Sequence, residues 1–503
     1  MNKPIRAVSI FCLVLFLALM VNVTYLQFFK ADSYDNKTGN TRPAEAAYSR
    51  ERGLILAGRQ TIAKSKPVDD RYKYLRVYPK PFMYAPVTGY LQLGVQTGLE
   101  RSQNDILSGE DPRLFVNRLV DMLQGDTNQG GNVITTINPK AQEAAYNGLL
   151  STVGPHGEGA VVAIQPKTGK ILAMVSLPSY DPNKLASHDS ATRTSTFDKL
   201  DKSPLKPLLN RATYLALFPG STFKVVTAAA TIENGLHHVD DQVPAGSGYQ
   251  LPGTHGSGNV VGNEIVAPCS PQIISFSTAM EDSCNTAFAR MAVALGPAKL
   301  RAQAEAFGFN SVPLSDYSPV LPSTYPKSVT DPGAKDSREL NDAETARTGF
   351  GQFEVQATPL QMAMVAAGIG NHGKVMKPYL VDRIQTADYQ TLDVTPTESL
   401  GQAVSQQTAD EVTELMVDTV KYGTATPAAI PGVDVAGKTG TAQTGIPGQP
   451  PYAWFVSFAP STDAQVAVAV MIQHIPGRTS DEIAGGRLGG PIAKAVMEAV
   501  MNK

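Results

Sequence analysis

The sequence predicts a membrane-tethered α/β protein whose main domain is a sheet flanked by helices, and three observations predict it. Residues 7–29 form one uncharged apolar run, AVSIFCLVLFLALMVNVTYLQFF. Strand-like segments stand early and late in the long C-terminal part, with helix-forming segments between them, so the two ends of that part are expected to share one sheet. The 503 residues are 42% hydrophobic and 17% charged, a globular composition at a length that suggests two to three domains.

Taken in order, the apolar run exceeds the ~20 residues a helix needs to cross a bilayer. Lys3 and Arg6 ahead of it, with Lys30 and Asp32 behind, favour an N-terminus in the cytoplasm and the remaining chain outside. A cleaved signal peptide would have an apolar core of only ~7–15 residues ending at a small-x-small site. The nearby triplet of that kind, Ala44-Glu45-Ala46, lies well past the run. The expected organisation is therefore a cytoplasmic stub (1–6), an anchor (7–29), an extracytoplasmic pedestal of mixed short strands, helices and loops (30–157), and a catalytic domain (158–503). In the pedestal, GLILA and YLQLGV are short apolar runs broken by Gly, Pro and Asn. From Val133 onward, VITTI alternates like a strand, PKAQEAAYNGLLSTV has helical spacing, and VVAIQ, Lys167-Thr168-Gly169 and KILAMV read as a hairpin. STFKVVTAAATIENG and the Ala-rich SFSTAMEDSCNTAFARMAVALG read as helical, AWFVSFAP and QVAVAVMIQ as adjacent strands, and IAKAVMEAVM as a closing helix.

Composition also excludes several functions. With 43 Lys+Arg against 45 Asp+Glu and no basic run, nothing draws a phosphate backbone to the chain, so no nucleic-acid partner is expected. Three Cys without C-x-x-C, and seven His without H-E-x-x-H, predict no metal site. Cys12 falls in the anchor. Cys269 and Cys284, outside the membrane, can pair in an oxidising space or stay two buried thiols, and spacing does not decide between them.

Three short motifs carry the chemistry. Ser221-Thr222-Phe223-Lys224 follows Pro219-Gly220 at an expected helix start, where a spacing of nearly one turn puts hydroxyl and amine on one face. A desolvated neutral lysine can take the serine's proton, making Ser221 a nucleophile and Lys224 its base. Ser283-Cys284-Asn285 offers a hydroxyl and an amide suited to proton relay and substrate placement. Lys438-Thr439-Gly440-Thr441 can bind a carboxylate through Lys438, Thr439 and Thr441, with Gly440 letting a substrate lie along the strand and the next N–H facing an oxyanion. Each motif alone is weak. Ser203-Pro204-Leu205-Lys206, Ser102-Gln103-Asn104, Ser257-Gly258-Asn259, Lys37-Thr38-Gly39 and Lys167-Thr168-Gly169 have the same forms, but fail on order or local structure. Gly432 to Thr439 also matches a phosphate-loop expression, yet Pro431 before it and Gly440, Gly445, Pro447, Gly448, Pro450 and Pro451 behind it oppose the required strand and helix. No nucleotide is expected.

In order and context the three motifs match the penicilloyl serine transferase pattern. With SRERGLILA, APVTGY, GAVVAIQPKTGKILAMVSLPSYDPN, FPGSTFK, EDSCNTAFA, ATPLQMAMVAAGIGNHG, VAGKTGTAQ and AWFVSFAP, the chain resembles class B penicillin-binding proteins, in particular the short actinobacterial PbpA group. The resemblance implies a D,D-transpeptidase, without cofactor, that cross-links peptidoglycan stem peptides ending in D-Ala-D-Ala and is inactivated by β-lactams. It implies acylation of Ser221 with Lys224 as base, assistance from Ser283 and Asn285, electrostatic support from Lys438, carboxylate binding by Thr439 and Thr441, and an oxyanion hole from the N–H groups of Ser221 and Thr441. Cys284 reads more readily as filler between two functional residues than as a disulfide partner. Phe350-Gly351-Gln352-Phe353 departs from the usual glycine-rich form of its segment, so the resemblance assigns it no role. Residues between Phe29 and Gly159 are too few for a glycosyltransferase domain, and the family usually works beside a SEDS-type membrane glycosyltransferase. The alternatives within the same fold are a D,D-carboxypeptidase, a β-lactam-hydrolysing enzyme and a β-lactam sensor.

Overall fold

The computed structural model of the chain describes residues 3–30, 33–34, 37, 45, 48–114, 129–331, 336–446 and 448–502. Asp32, Pro447, most of Lys37-Thr38-Gly39 and the two alanines of Ala44-Glu45-Ala46 lie outside them.

Helix α1 (Lys3–Thr24) runs on through a π-helical turn, Tyr25–Phe29, and none of its residues is buried against the body. At about 1.5 Å per residue, the 27 residues of Lys3–Phe29 exceed a bilayer core of about 30 Å, so the helix is long and apolar enough for a single-pass anchor.

Two sheets organise the rest. In the first, β1 (Ile55–Ala57), β2 (Gln60–Pro67) and β3 (Tyr74–Val77) form an antiparallel meander. Helix α2 (Pro81–Thr88) follows, and β4 (Asn132–Thr135) then pairs parallel to β1. Behind the meander Glu100, fully buried, accepts from Arg76 Nε at 2.6 Å, Arg52 at 3.0 Å and the Tyr78 hydroxyl at 3.2 Å. Burial opposes its charge, yet the two guanidiniums hold the carboxyl below its ordinary range.

Helix α3 (Pro139–Val153) lies before the boundary expected near residue 157 yet packs on the second sheet, and its start is set by Pro139 and by the Asn138 side chain accepting from the N–H groups of Lys140 and Ala141. Strands β5 (Glu158–Ile164) and β6 (Ile171–Leu177) form the expected hairpin, with Gly169 at φ +84 in its turn. Helices α4 (Lys224–Glu233), α5 (Phe276–Glu281), α6 (Asn285–Leu295), α7 (Asp342–Thr348) and α8 (Pro359–Gly370) make up the middle. Next, β7 (Val381–Gln385) and β8 (Thr391–Val394) extend the first sheet through β4, so this hairpin crosses the boundary expected near residue 157. Helix α9 (Gln406–Lys421), strands β9 (Ala436–Ala442), β10 (Tyr452–Ala459) and β11 (Val466–His474), and helix α10 (Gly485–Met501) close the chain.

The second sheet has the order β9-β10-β11-β5-β6 and is antiparallel throughout, which joins the early and late segments as expected. Its alternation sorts side chains onto two faces. Val161, Phe455, Val468 and Val470 pack with Leu149 and Val153 of α3 and Ile492 and Val496 of α10. Ala160, Val162, Trp454, Val456 and Met471 pack with Val225, Ala229 and Leu360 of the middle helices. Covered on both faces, the sheet leaves β9 as an edge strand beside the middle helices.

Candidate active site

Ser221 sits in a tight 3-10 turn, Gly220–Phe223, that runs directly into α4. The turn is gripped from two sides. Gly220, at φ +54, donates its N–H to Gly351 O at 3.0 Å, and a Cβ on Gly351 would fall 2.2 Å from Gly220 O. On the other side β9 passes so close that a Cβ on Gly440 would stand 3.0 Å from Pro219 O and from Thr222 Cγ2. Thr222 ties the turn to itself by donating to Pro219 O at 2.8 Å.

One turn on, Lys224 is fully buried and points its Nζ at the second motif. It contacts Ser283 O at 2.7 Å, Ser283 Oγ at 3.0 Å and Asn285 Oδ1 at 2.7 Å. The Ala-rich stretch expected as one helix is in fact two, because Ser283 takes φ +57 between α5 and α6 and so turns both its carbonyl and its hydroxyl toward Lys224. The Asn285 amide completes the clamp by donating to Gly262 O at 3.0 Å.

From the middle of β9, Lys438 reaches the same hydroxyl: its Nζ donates to Ser283 Oγ at 2.9 Å and to Thr439 O at 3.2 Å. Burial pushes the Lys438 ammonium down to about 7, against the opposing pull of Glu264 and Asp282. Burial also takes Lys224 well below the lysine range, and the neighbouring Lys438 adds to that effect. Two buried amines thus share one hydroxyl, and the arrangement favours a free-base Lys224 beside Ser221. Thr439 pairs hydroxyls with Thr424 at 2.9 Å, whereas Thr441 lines the open groove with Ser221 and Asn285.

That groove, about 650 Å³, is also lined by Gly258, Glu264, Arg347 and Phe353. The Ser221 hydroxyl has no hydrogen-bond partner among the described residues. Contact between nucleophile and base often tightens only on substrate binding, so the one-turn spacing remains the relevant geometry.

The structure therefore gathers Ser221, Lys224, Ser283, Asn285, Lys438, Gly440 and Thr441 around one groove, with Thr439 just behind it. Cys284, the N-cap of α6, is bonded to Cys269 with Cα atoms 5.5 Å apart, so it tethers the second motif to the 262–269 loop instead of merely filling the triplet. The look-alike motifs stand elsewhere: Ser203–Lys206 ends in a turn with Lys206 at φ +43, Ser102 donates to Asp316 O, and Lys167–Gly169 is the β5–β6 turn. Ser257-Gly258-Asn259 is the exception, since it forms a short turn on the groove rim. Gly432–Thr439 ends within a strand, with Lys438 in mid-β9, and a phosphate cradle at a helix start is absent there. Among the described residues no cluster of three or more His, Cys, Asp and Glu is placed to hold a metal. Sequence reasoning missed Glu264, Arg347, Thr424 and the backbone of 351–353, because these belong to loops and helix ends that only the fold brings to the site.

Against known proteins, residues 159–498 match the family model described as penicillin binding protein transpeptidase domain, and residues 52–133 match penicillin binding protein A dimerisation domain. The chain is 42% identical to the peptidoglycan D,D-transpeptidase PbpA of Mycolicibacterium smegmatis, over 100% of both chains. It is 41% identical to that of Mycobacterium tuberculosis, over 100% of this chain and 99% of the relative. Among solved structures, the ceftriaxone acyl-enzyme complex of M. tuberculosis penicillin-binding protein A superposes with TM-score 0.82 at 41% identity, covering 91% of this chain and 100% of that one. A D,D-transpeptidase domain from Eggerthella lenta gives TM-score 0.73 at 29% identity, covering 90% and 99%.

Proposed function

The chain belongs to the class B penicillin-binding-protein transpeptidases, and from that premise we propose that Ser221 is the residue its donor substrate acylates. The protein is a serine-type peptidoglycan D,D-transpeptidase acting on stem peptides that end in D-Ala-D-Ala, and it binds β-lactams. The observation that carries the site assignment is the Ser283 hydroxyl held between two buried lysines, one of them a single turn from Ser221.

The chemistry follows from that arrangement. Free-base Lys224 takes the Ser221 proton as Oγ attacks the penultimate D-Ala carbonyl. The N–H groups of Ser221 and Thr441 face the developing oxyanion, while Lys438, Thr439 and Thr441 hold the terminal carboxylate. Collapse breaks the C–N bond and the Lys224 proton passes, by way of the Ser283 hydroxyl, to the departing D-Ala nitrogen. In the second half an acceptor amine attacks the ester carbonyl, a C–N bond forms, and the Ser221 oxygen leaves and recovers its proton.

Lys3 and Arg6 in the first turn of α1, ahead of its apolar run, support a cytoplasmic N-terminus and an extracytoplasmic catalytic domain. Residues 30–138 then act as a pedestal below the transpeptidase domain expected at 158–503, and α3, although it precedes residue 158, packs on the sheet of that domain. A SEDS-type membrane glycosyltransferase polymerises the glycan that this domain cross-links. Intact-mass analysis after penicillin treatment tests the core of the reading: one adduct per chain is expected, located on Ser221. Equal labelling of Ser221→Ala protein would overturn it.

A further inference from the structure

Transpeptidation needs a second substrate, an amine that is mostly an ammonium at neutral pH, and the groove as described so far repels it. Lys438 lies behind Ser221 beside Ser283, and Arg347 lines the wall beside Phe350 and Phe353. Arg347 donates to Asn259 Oδ1 at a long 3.4 Å and faces no carboxylate within ion-pair distance among the described residues.

Among the described residues that line the groove, Glu264 is the one acid. It is exposed and takes part in no hydrogen bond or ion pair among the described residues. A charged side chain with no structural partner is ordinarily free to wander, yet the backbone that carries it is fastened on both sides to the catalytic motif. Gly262 O accepts from Asn285 Nδ2 at 3.0 Å. Asn263 accepts the Thr286 N–H at 3.0 Å and donates to Gly246 O at 3.0 Å. Further along, Cys269 is bonded to Cys284. The loop is therefore held at residues 262, 263 and 269 against residues 284–286, which fixes the backbone flanking Glu264 and places its carboxylate at the mouth of the groove. Its charge is felt by both Lys224 and Lys438, consistent with that position.

We propose that Glu264 is the docking carboxylate for the acceptor substrate, a cationic primary amine, and draws its ammonium to the side of the groove away from Arg347. As it leaves the carboxylate the ammonium gives one proton to solvent water, its lone pair attacks the carbonyl on Ser221 to form the C–N bond, and the ester C–O bond breaks as a second amine proton passes through Lys224 to Ser221 Oγ. This inference rests on the acyl-transfer reading above and names the charge class of its second substrate.

The test uses full-length protein in detergent, acylated by a thioester analogue of the donor, and measures partition of the acyl group between water and added amine. Two probes are compared: 6-aminohexanamide, cationic at neutral pH, and hydroxylamine, which is uncharged at pH 8. Partition compares two fates of the same acyl-enzyme, so it is blind to changes in acylation. With Glu264→Gln, the concentration of 6-aminohexanamide giving half-maximal aminolysis should rise roughly five- to tenfold, and Glu264→Lys should raise it further. Hydroxylamine should shift less than twofold. An equal shift for both probes, or none for either, overturns the assignment while leaving the acyl-enzyme intact. A native chain that yields no mass adduct on Ser221 brings down this inference together with the proposed function.

Discussion

Replacing Lys438 by arginine tests the electrostatics of the site through its pH dependence. Lys438 is fully buried, and desolvation holds its ammonium down to about 7 from the usual 10.5. Lys224 gives up its proton first, since Lys438 acts against it in addition to burial. Acylation of the free enzyme by a penicillin should thus rise with pH as Lys224 becomes a base, then fall through a midpoint near 7 as Lys438 loses the charge that holds the carboxylate. A charge-assisted hydrogen bond is worth about 1.5–3 kcal/mol, so the fall should span roughly ten- to a hundredfold. The assay is the second-order acylation rate between pH 5 and about pH 10, which brackets the depressed Lys438 value near 7 and stops just short of the ordinary lysine value. Lys438→Arg stays charged throughout and should abolish the alkaline limb, whereas Lys438→Met should begin at the level of the alkaline plateau. Stability moves in a defined sense as well. A lysine whose folded value is depressed binds fewer protons when folded, so the native chain gains stability as pH rises from about 7 toward 10.5. The advantage of Lys438→Met, on the order of a few kcal/mol below pH 7, should shrink over that interval. An alkaline limb of unchanged midpoint and depth in Lys438→Arg would refute the reasoning.

Four further outcomes follow from the geometry. Gly351→Ala places a Cβ 2.2 Å from Gly220 O at a φ of +70, so penicillin acylation should drop at least about tenfold with a loss of roughly 1–3 kcal/mol in stability, measured by labelling kinetics and thermal melting. Glu100→Ala strands two buried guanidiniums and should cost about 3–5 kcal/mol, seen as early proteolysis of the residue 48–114 region in a urea series; native-like resistance would contradict it. Thiol counting on denatured, unreduced protein should find Cys12 alone reactive, and three reactive thiols would reject the Cys269–Cys284 bond. Thr439→Val should slow penicillin acylation by roughly 1–3 kcal/mol of transition-state free energy, while millimolar Mg-ATP leaves the melting temperature of the native chain unmoved.

Much of this architecture is legible in local sequence. The β5–β6 hairpin shows because its turn needs Gly169 at positive φ, and β10 and β11 show as near-continuous apolar runs because both of their faces are covered. Ser221, Lys224, Ser283, Asn285 and Lys438 can be named in advance because their spacing is local even though their meeting is not. The break at Ser283 is harder to read, since Ala-rich flanks have high helix propensity and only the tertiary pull of Lys224 rewards a left-handed residue there. Glu264 leaves no sequence signal at all. It belongs to a loop fixed by long-range contacts from Asn263 and Cys269, and a lone acid in a loop is normally just solvated. The β7–β8 hairpin is equally silent about its destination, because pairing with β4 spans most of the catalytic domain.

Once Lys224 is the free base that its burial favours, hydrogen-bond capacity orders the protons of the site. A free-base lysine has two N–H donors and one lone pair. The two short contacts of Lys224, 2.7 Å to Ser283 O and 2.7 Å to Asn285 Oδ1, go to acceptors that cannot donate through those atoms, and so consume both of its N–H groups. Its third contact, Ser283 Oγ at 3.0 Å, can then supply the hydroxyl proton to the remaining lone pair. The same oxygen accepts from Lys438 at 2.9 Å, which completes a chain directed from Lys438 through Ser283 to Lys224. Rotating the Ser283 hydroxyl away frees the Lys224 lone pair for the Ser221 proton, and protonated Lys224 then donates to Ser283 Oγ as that hydroxyl passes its own proton to the leaving D-Ala nitrogen. Ser283 must therefore be a hydroxyl whose oxygen is held in a fixed position between two amines. Its positive φ, the disulfide at Cys284 and the Asn285 clamp on Gly262 all serve that one placement.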